Sequence, residues 1–491
     1  MINYKKYAKD VVFIGIAQIL AALQSFLILP ILTKFLGAAE FGVWSQIKIT
    51  VFLLTGLSLL GMQQGVIRFM SGENNKNKLG REFSSVFIIS LFGALFFGLV
   101  IFFFSDIIGL LLTDETTAGF FFKFVILMIL ARVIYNFLGT FIKSRKKMKL
   151  FSIIEMFNVV AEILLIYFFL LKGFGLLGVI IAFIAVRVIL IIVLAINIRK
   201  HLHLKAPNFK SVKHYFSFSL PLTVTPILFW IIQSGDQYVI GFFNGAAAVG
   251  IYALAYALCR VIRVVADPII LILQPSLASS WNRGKIDEVK MYFKYSYKYI
   301  FMLSIPVFFG LTILAEPIIK LISTGEFITG KLLIPIIGAG VGFYILFILA
   351  IEIFMLRKET KKLMWFLVFL TIFNVVLNII LVPWIGNLGA AISTLLSFLI
   401  AGWYGALTIR KAGFSLMPKF IIKCFFSASV MGLLLYFMGD FQIQNVIFKL
   451  FIIILISVVV YFLLLYLLKG ITKLEINFLI SLLKREKKLT N

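Results

Sequence analysis

Long apolar segments separated by short polar ones run along almost the whole chain. A helix needs roughly 20 apolar residues to cross about 30 Å of hydrocarbon, and each segment reaches or approaches that length. The pattern therefore predicts an all-α polytopic membrane protein with about fourteen transmembrane helices. The predicted spans lie at about residues 11–36, 41–69, 83–104, 119–142, 150–171, 176–198, 216–243, 247–278, 299–323, 333–356, 363–383, 389–409, 421–439 and 447–468.

Composition agrees with the membrane class. Of the 491 residues, 62% are hydrophobic and only 14% are charged, whereas soluble proteins average about 25% charged residues. A net charge of +27 would suggest a nucleic-acid partner in a soluble protein. In a membrane protein the same excess is expected from basic cytoplasmic loops, so we expect no nucleic-acid partner. Cys259 and Cys424 lie in apolar segments, outside any metal or redox motif.

The positions of Lys and Arg predict the orientation of the chain. With the N-terminus in the cytoplasm, the inside segments hold 34 of the 47 basic residues, and the outside loops hold only Lys172 and Lys331. This alternation predicts a multi-pass protein of the inner (cytoplasmic) membrane with both termini cytoplasmic. The first span is of full membrane length and has no small-residue cleavage site after it, so we interpret it as uncleaved. The longest outside loop is predicted at about 105–118.

Two pieces of the first half of the chain recur in the second half. A first turn at residues 35–42 (FLGAAEFG) matches a second turn at 243–250 (FNGAAAVG) in five of eight positions, at an offset of 208. The sequence FNVV of span 5, at 157–160, recurs in span 11 at 373–376, at an offset of 216. The offset equals six spans, an even number, so the copies share their orientation and form parallel repeats about an axis along the membrane normal.

The repeat predicts two six-helix lobes related by a pseudo-two-fold axis, with two extra helices. The predicted boundaries are 1–210 for the N-terminal lobe, 211–412 for the C-terminal lobe, 413–470 for spans 13 and 14, and 471–491 for a basic tail. The tail mixes apolar and basic residues, which suits either an interfacial helix or a solvated segment. Transporters with such repeats bind their substrates between the lobes, near the membrane midplane.

The segment at 236–241 (DQYVIG), the second turn, and the segment at 250–256 (GIYALAY) resemble the bacterial polysaccharide (O-antigen type) flippase family. The opening of the chain, through Pro30, the first turn and residues 56–68, is similar to that family too. The family belongs to the multidrug/oligosaccharidyl-lipid/polysaccharide exporter superfamily, and the resemblance covers roughly residues 10–280 most clearly. The family pattern usually has a basic residue after the acid of span 7, where this chain has Gln237.

The resemblance implies a two-lobed helical transporter with no cofactor. Its implied cargo is an undecaprenyl-pyrophosphate-linked oligosaccharide, the repeat unit of a polysaccharide, which crosses from the cytoplasmic to the outer leaflet by alternating access. Expected partners are this polyprenyl-linked glycan, membrane lipid, and polysaccharide polymerase or assembly proteins. We expect the chain itself to be a monomer.

Charged residues inside the predicted spans are the candidate site residues, because a charge in hydrocarbon costs a few kcal/mol or more. Arginine suits a pyrophosphate because its guanidinium binds phosphate oxygens bidentately. Span 8 is the most informative segment, since its polar residues follow one another at helical spacings of 4, 4, 3 and 4 and would share one face of a continuous helix. They are Tyr252, Tyr256, Arg260, Arg263 and Asp267. The alternative is that Asp267 neutralises Arg263 and that the tyrosines pack in the core.

Three other spans contribute candidates. Span 5 has an acidic face with Glu155 and Glu162, and span 6 has Arg187. These acids predict either an ion-coupling site or a structural pair between Glu162 and Arg187. Span 4 contributes Arg132 to the predicted substrate cavity. In span 7, Asp236 is a further candidate for ion coupling or structural pairing.

Span 2 contributes Lys48 to the predicted cavity. Arg68 lies twenty residues further on, about 200° around an ideal helix, so both can face one cavity only if the helix is kinked. The alternative for both cations is snorkelling to the membrane interface.

Other functions fit the sequence less well. A flippase for a lipid-linked peptidoglycan precursor shares the cargo chemistry, and a cation-coupled multidrug exporter of the same superfamily would favour an acidic cavity. A membrane glycosyltransferase or polymerase would need acid/base or metal-binding groups on a sizeable outer loop or domain. The chain shows no carboxylate pair, metal-ligand cluster or phosphate-binding glycine loop, so we expect no enzymatic activity.

Overall fold

The computed structural model describes residues 4–114, 117–199, 202, 205–209, 212–264, 266–438, 446–472 and 475. Within these ranges the chain forms helices and connecting turns and no strand, which confirms the all-α prediction. A 3₁₀-helix covers Gly325–Leu332. The α-helices are α1 (Tyr4–Leu59), α2 (Met62–Met70), α3 (Lys76–Phe103), α4 (Ser105–Thr113), α5 (Ala118–Lys123), α6 (Val125–Ser144), α7 (Met148–Leu171), α8 (Gly175–Arg199), α9 (Val212–Cys259), α10 (Val261–Val264), α11 (Asp267–Asn282), α12 (Ile286–Ile313), α13 (Ala315–Ile322), α14 (Leu333–Leu356), α15 (Thr360–Ile385), α16 (Asn387–Lys411), α17 (Pro418–Met438) and α18 (Val446–Leu467).

The helices confirm a multi-pass membrane protein. Twelve helical segments of the described chain are long and apolar enough to cross a membrane. Two of them, Phe26–Leu59 and Val212–Val264, contain a glycine with non-helical backbone angles, at Gly37 and Gly245. Each of these two segments is therefore a pair of helices joined at its glycine and holds two predicted spans. On this basis the twelve segments are consistent with fourteen spans.

Local sequence signals set several helix ends. Helix α3 begins after Asn75, whose Oδ1 accepts hydrogen bonds from the backbone N–H groups of Asn77 (3.0 Å) and Lys78 (3.1 Å), as expected of an N-cap asparagine. Helix α11 begins at Asp267 with Pro268 in its first turn, where the missing N–H leaves no hydrogen bond unmade. The predicted outside loop at 105–118 is mostly helical instead, because α4 occupies its first nine residues.

Two predicted spans are interrupted. Span 2 breaks at Leu60 and Gly61, both with a left-handed backbone, so the kink that would let Lys48 and Arg68 face one cavity is present. The prediction of one continuous helix for span 8 was wrong. That span is divided into α9, α10 and α11, with a turn at Arg260. The five residues of its predicted face therefore do not lie along one helix.

The chain divides into two compact units. The first contains residues Met1–Leu254, Ile322–Thr329 and Met364–Ser393, and the second contains Ala255–Leu321, Gly330–Leu363 and Thr394–Asn491. The boundaries predicted at 210, 412 and 470 remain predictions. The predicted tail at 471–491 lies almost wholly outside the described residues.

In the first unit the two repeated turns pack directly against each other. A Cβ at Gly42 would overlap the carbonyl oxygen of Ala246, and a Cβ at Gly250 would overlap the carbonyl oxygen of Ala38. Adding 208 to Gly42 and Ala38 gives Gly250 and Ala246. The two contacts are thus one contact seen from each copy, as at an interface with two-fold symmetry.

The same symmetry extends to the glycines that join the helices. The Glu326 carboxylate accepts a hydrogen bond from the Ala38 N–H at 2.8 Å and lies beside Gly37. In the other copy Asp114 holds the matching place, and a Cβ at Gly245 would lie 3.4 Å from the Asp114 Cβ.

Candidate functional site

A buried ion pair joins α7 and α8 in the first unit. Arg187 Nη2 lies 3.2 Å from Glu162 Oε2, and both side chains are about nine-tenths buried, with 11% and 10% of their surface exposed. The arginine also donates to the Phe183 carbonyl at 2.9 Å, and its guanidinium lies 3.3 Å from the centre of the Phe183 ring. Gln24 of α1 donates to the same Glu162 oxygen at 3.3 Å. The geometry is that of the structural pair, and the ion-coupling role of Glu162 remains a prediction.

Arg132 lies close enough to both residues of this pair, and to Glu155, to interact with all three electrostatically. The Glu155 carboxylate accepts a hydrogen bond from the Tyr135 hydroxyl at 2.8 Å. The structure therefore brings together four of the predicted site residues in one cluster, which holds two arginines and two carboxylates.

Within this cluster Arg132 differs from Arg187 in its contacts. Among the described residues no carboxylate lies within ion-pair distance of Arg132, and no acceptor takes a hydrogen bond from it. Its guanidinium lies instead over the ring of Phe52, 5.0 Å from the ring centre. A stacked guanidinium keeps its N–H edge free to bind a ligand. Arg132 is half-buried, so a ligand can approach that edge.

The ring of Phe52 also lines a cleft of about 150 Å³ between the second half of α1, α2 and the first half of α9. Among the described residues, no charged one lines the cleft. Its polar lining consists of Gln63, Gln64 and Thr223, and its aromatic lining includes Trp230. In the part of the chain that the structure describes, neither glutamine side chain has a hydrogen-bond partner. Their amide groups are therefore available to a ligand.

Supporting contacts fix the position of Trp230. Its ring packs on the Tyr238 ring at 5.7 Å between centres, and the Tyr238 hydroxyl is hydrogen-bonded to Thr50 Oγ1 at 2.7 Å. Thr50 Oγ1 also donates to the Gln46 carbonyl at 2.7 Å. This chain of contacts joins α9 to α1 and holds the aromatic wall in place.

Arg68 lies beyond one end of the cleft. It follows Gln64 by four residues on α2, and its guanidinium lies 4.3 Å from the centre of the Phe218 ring on α9. Phe218 precedes the lining residue Leu222 by four residues. The contact between Arg68 and Phe218 therefore lies about one helical turn beyond the cleft on both helices. No carboxylate pairs with Arg68 within the described ranges. The sequence predicted that Arg68 either faces one cavity with Lys48 across a kink or snorkels to the membrane interface.

The second unit contains the interruption of span 8. Arg260 is exposed in the turn between α9 and α10, and its side chain has no ion-pair or hydrogen-bond partner among the residues that the structure describes. Arg263 donates from Nε to Asp267 Oδ1 at 3.1 Å, and its guanidinium lies 5.7 Å from the centre of the Tyr344 ring. The exposed fractions of the Arg263 and Asp267 side chains are 34% and 52%. Short i→i+3 bonds, such as Arg263 N–H to the Arg260 carbonyl at 3.0 Å, replace the regular helix here.

The remaining predicted residues lie apart from these groups. Tyr252 is fully buried, and its hydroxyl is hydrogen-bonded to the Asp236 carboxylate, so its place in the substrate cavity remains a prediction. Tyr256 is also buried. Lys48 is exposed on the second half of α1. Among the described residues no group of three His, Cys, Asp or Glu side chains could hold a metal ion.

Three mostly buried charged residues of the second unit, one alone and two paired, were not predicted from the sequence. Glu352, within α14, is only 7% exposed. A single carboxylate inside an apolar segment of the sequence is a signal that could have identified it. Lys298 forms a mostly buried pair with Glu475, at 2.7 Å between Nζ and Oε1. No sequence signal connects these two residues, because they are 177 positions apart.

The amino-acid sequence is similar to those of known proteins. The family model described as polysaccharide biosynthesis protein matches residues 7–281. The chain is 24% identical over 198 residues to the probable low-salt glycan biosynthesis flippase Agl15 of Haloferax volcanii, covering 40% of this chain and 42% of that protein. It is 25% identical over 207 residues to the probable flippase AglR of the same organism, covering 41% and 43%. The chain thus spans less than half the length of these curated relatives.

The fold is similar to that of two solved transporters. The lipid II flippase MurJ, in an inward closed conformation, has a TM-score of 0.77 at 18% identity, covering 93% of this chain and 98% of that one. A multidrug resistance MATE family transporter of the MOP superfamily, in an inward-facing conformation, has a TM-score of 0.67 at 14% identity, covering 82% and 98%. At these identities the likeness concerns the fold alone. The match over residues 7–281, which is more than half of the chain, shows that the chain belongs to the polysaccharide biosynthesis protein family.

Proposed function

We propose that this protein is a flippase that moves a polyprenyl-pyrophosphate-linked oligosaccharide from the cytoplasmic to the outer leaflet of the cytoplasmic membrane. Family membership supports a role in polysaccharide biosynthesis, and both curated relatives are named as flippases. The undecaprenyl carrier and the O-antigen type of glycan come from the family resemblance. The expected partner polymerase, the monomeric state and the cytoplasmic termini belong to the same proposal.

The observation that carries the proposal is the environment of Arg132. A guanidinium within a membrane-crossing helix is costly unless it has a partner or reaches a wet cavity. Arg132 lacks a paired carboxylate within the described chain, and its aromatic support, Phe52, also lines the cleft. A pyrophosphate would supply the missing anion, because its oxygens match the guanidinium edge in charge and geometry.

The membrane potential adds a driving force to this proposal. A potential that is negative inside favours outward movement of an anion by about 2.3 kcal/mol per charge per 100 mV. A pyrophosphate with two charges would gain roughly 5 kcal/mol per 100 mV if it crossed uncompensated. A separate ion-coupling site is therefore not required for transport.

The test is a flipping assay in liposomes with the purified full-length protein. Labelled undecaprenyl-pyrophosphate-linked N-acetylglucosamine is placed in the inner leaflet, and its arrival outside is detected with a membrane-impermeant reagent. We expect wild-type transport, a loss of at least about tenfold in Arg132→Ala, corresponding to one lost charged contact, and faster transport with an inside-negative potential.

Arg283→Ala is the matched control. Arg283 directly follows α11, is exposed, and donates a hydrogen bond to the Ser279 carbonyl of that helix. This variant should transport at the wild-type rate. Wild-type protein that moves no polyprenyl-linked sugar would overturn the proposed function. Wild-type transport that Arg132→Ala leaves unchanged would retain the function and remove Arg132 from the site.

A further inference from the structure

We propose that the cleft between α1, α2 and α9 binds one sugar ring of the translocated lipid-linked saccharide, the ring next to the pyrophosphate. The inference rests on the proposed flippase function and adds the position and chemical character of the glycan subsite. It is carried by the lining of the cleft, its volume and its connection to Arg132.

The lining is suited to a neutral, hydroxyl-rich ring. Each amide of Gln63 and Gln64 offers two donors and an acceptor, and the described part of the chain occupies none of them. The indole N–H of Trp230 also has no partner among the described residues. Aromatic side chains combine a flat apolar surface with a polar group, which suits a sugar that has C–H faces and hydroxyl edges.

The backbone adds an acceptor to the same wall. Pro226 lines the cleft and has no N–H to give to the carbonyl of Leu222, four residues earlier, which lines the cleft as well. A carbonyl left without its helical partner in a membrane-crossing segment needs another donor. A sugar hydroxyl would provide one. The lining thus offers both donors and acceptors and, among the described residues, no charge, which argues against a cation as the occupant.

The size and position of the cleft indicate a single ring. Its volume is about 150 Å³, and a cavity of about that volume accommodates a benzene-sized ligand. Space remains beside Gly56, since a Cβ there would meet no atom within 4 Å. Phe52 links the cleft to Arg132, so a pyrophosphate at the guanidinium would place its first sugar against this wall.

The first experiment compares two probes with the full-length protein in detergent. The probes are undecaprenyl pyrophosphate and the same carrier with one N-acetylglucosamine, and the measured quantity is the dissociation constant of each. We expect Gln64→Leu to weaken binding of the glycosylated carrier about five- to tenfold, the loss of one or two hydrogen bonds. Binding of the bare carrier should change less than about twofold.

Gln233→Leu is the matched control for the amide. Gln233 is a half-buried glutamine on α9 that donates to the Phe229 carbonyl and does not line the cleft. It should leave the ratio of the two dissociation constants unchanged. Equal weakening of both probes by Gln64→Leu would overturn the inference, because that result describes a general change in the protein.

A second pair of variants fills the space directly. Gly56→Leu places a side chain in the open part of the cleft, whereas Gly342→Leu adds the same side chain at another glycine with no atom within 4 Å of its Cβ position. We expect Gly56→Leu alone to lose affinity for the glycosylated carrier, by at least about tenfold, while its binding of the bare carrier persists.

The outcomes separate the two proposals. If the wild type binds both probes equally and Gly56→Leu changes neither, the cleft is not a sugar site, and the flippase proposal survives. If the wild type binds neither probe, the flippase proposal fails and takes the subsite with it. If the wild type prefers the glycosylated probe and the preference is lost in Gly56→Leu and Gln64→Leu, the subsite is supported.

Discussion

Two arginine–carboxylate pairs in this protein have nearly the same length and very different surroundings. The Arg187–Glu162 pair in the first unit measures 3.2 Å, and the Arg263–Asp267 pair in the second unit measures 3.1 Å. The first is about nine-tenths buried between α7 and α8. The second is substantially exposed, with 34% and 52% of the two side chains accessible, and both of its residues belong to the interrupted span.

The difference shows that the surroundings of an ion pair, and not its length, decide its role. Breaking a buried pair leaves a charge without water or partner, which is strongly destabilising. An exposed pair exchanges partners with solvent at little cost, so it contributes little to stability and can give way to a ligand. We therefore expect Arg187 and Glu162 to support the fold, and the Arg263–Asp267 pair to contribute little to stability.

The largest expected effect comes from breaking the buried pair on one side. Arg187→Leu should lower the free energy of unfolding by about 3–5 kcal/mol, because Glu162 is left charged and buried. Thermal unfolding of the detergent-solubilised protein measures the loss. The double variant Arg187→Leu with Glu162→Leu should recover most of it, since both charges are removed. A double variant as unstable as the single one would show that the arginine acts through its contacts with Phe183.

The next effect concerns Arg132, the arginine of the same cluster that has no paired carboxylate. Arg132→Lys keeps the charge and removes the planar donor edge, so it should slow flipping by about tenfold, the loss of one bidentate contact. Stability should change by less than about 1 kcal/mol, since no buried carboxylate loses its partner. The flipping assay and thermal unfolding are measured on the same preparation. Destabilisation comparable to Arg187→Leu would place Arg132 with the structural pair.

The smallest effect on stability is expected in the exposed pair. Asp267→Asn should change the free energy of unfolding by no more than about 0.5 kcal/mol, as is usual for exposed pairs four residues apart. Thermal unfolding of the detergent-solubilised protein measures the change. A large loss of stability would mean that the second pair, despite its exposure, supports the fold.

The sequence predicted the helical class, the span count and the repeat, because these depend on local hydrophobicity and on residues that recur in order. The break before α11 was missed although Pro268 marked it, since proline is favoured in the first turn of a helix and disfavoured in its interior. The Arg187–Glu162 pair could be anticipated from adjacent spans. The cleft could not, because Gln64 and Trp230 are brought together by packing between helices that are far apart in the chain.

The reciprocal packing of the two turns has a consequence for how the halves of this chain can diverge. Each glycine of the pair Gly42 and Gly250 receives a carbonyl group of the other copy, so each copy is both the inserted part and the receiving surface. A methyl group added to either copy cannot be relieved by a change within that copy alone. The duplicated halves are therefore free to differ along their helices, but they must remain alike where they touch.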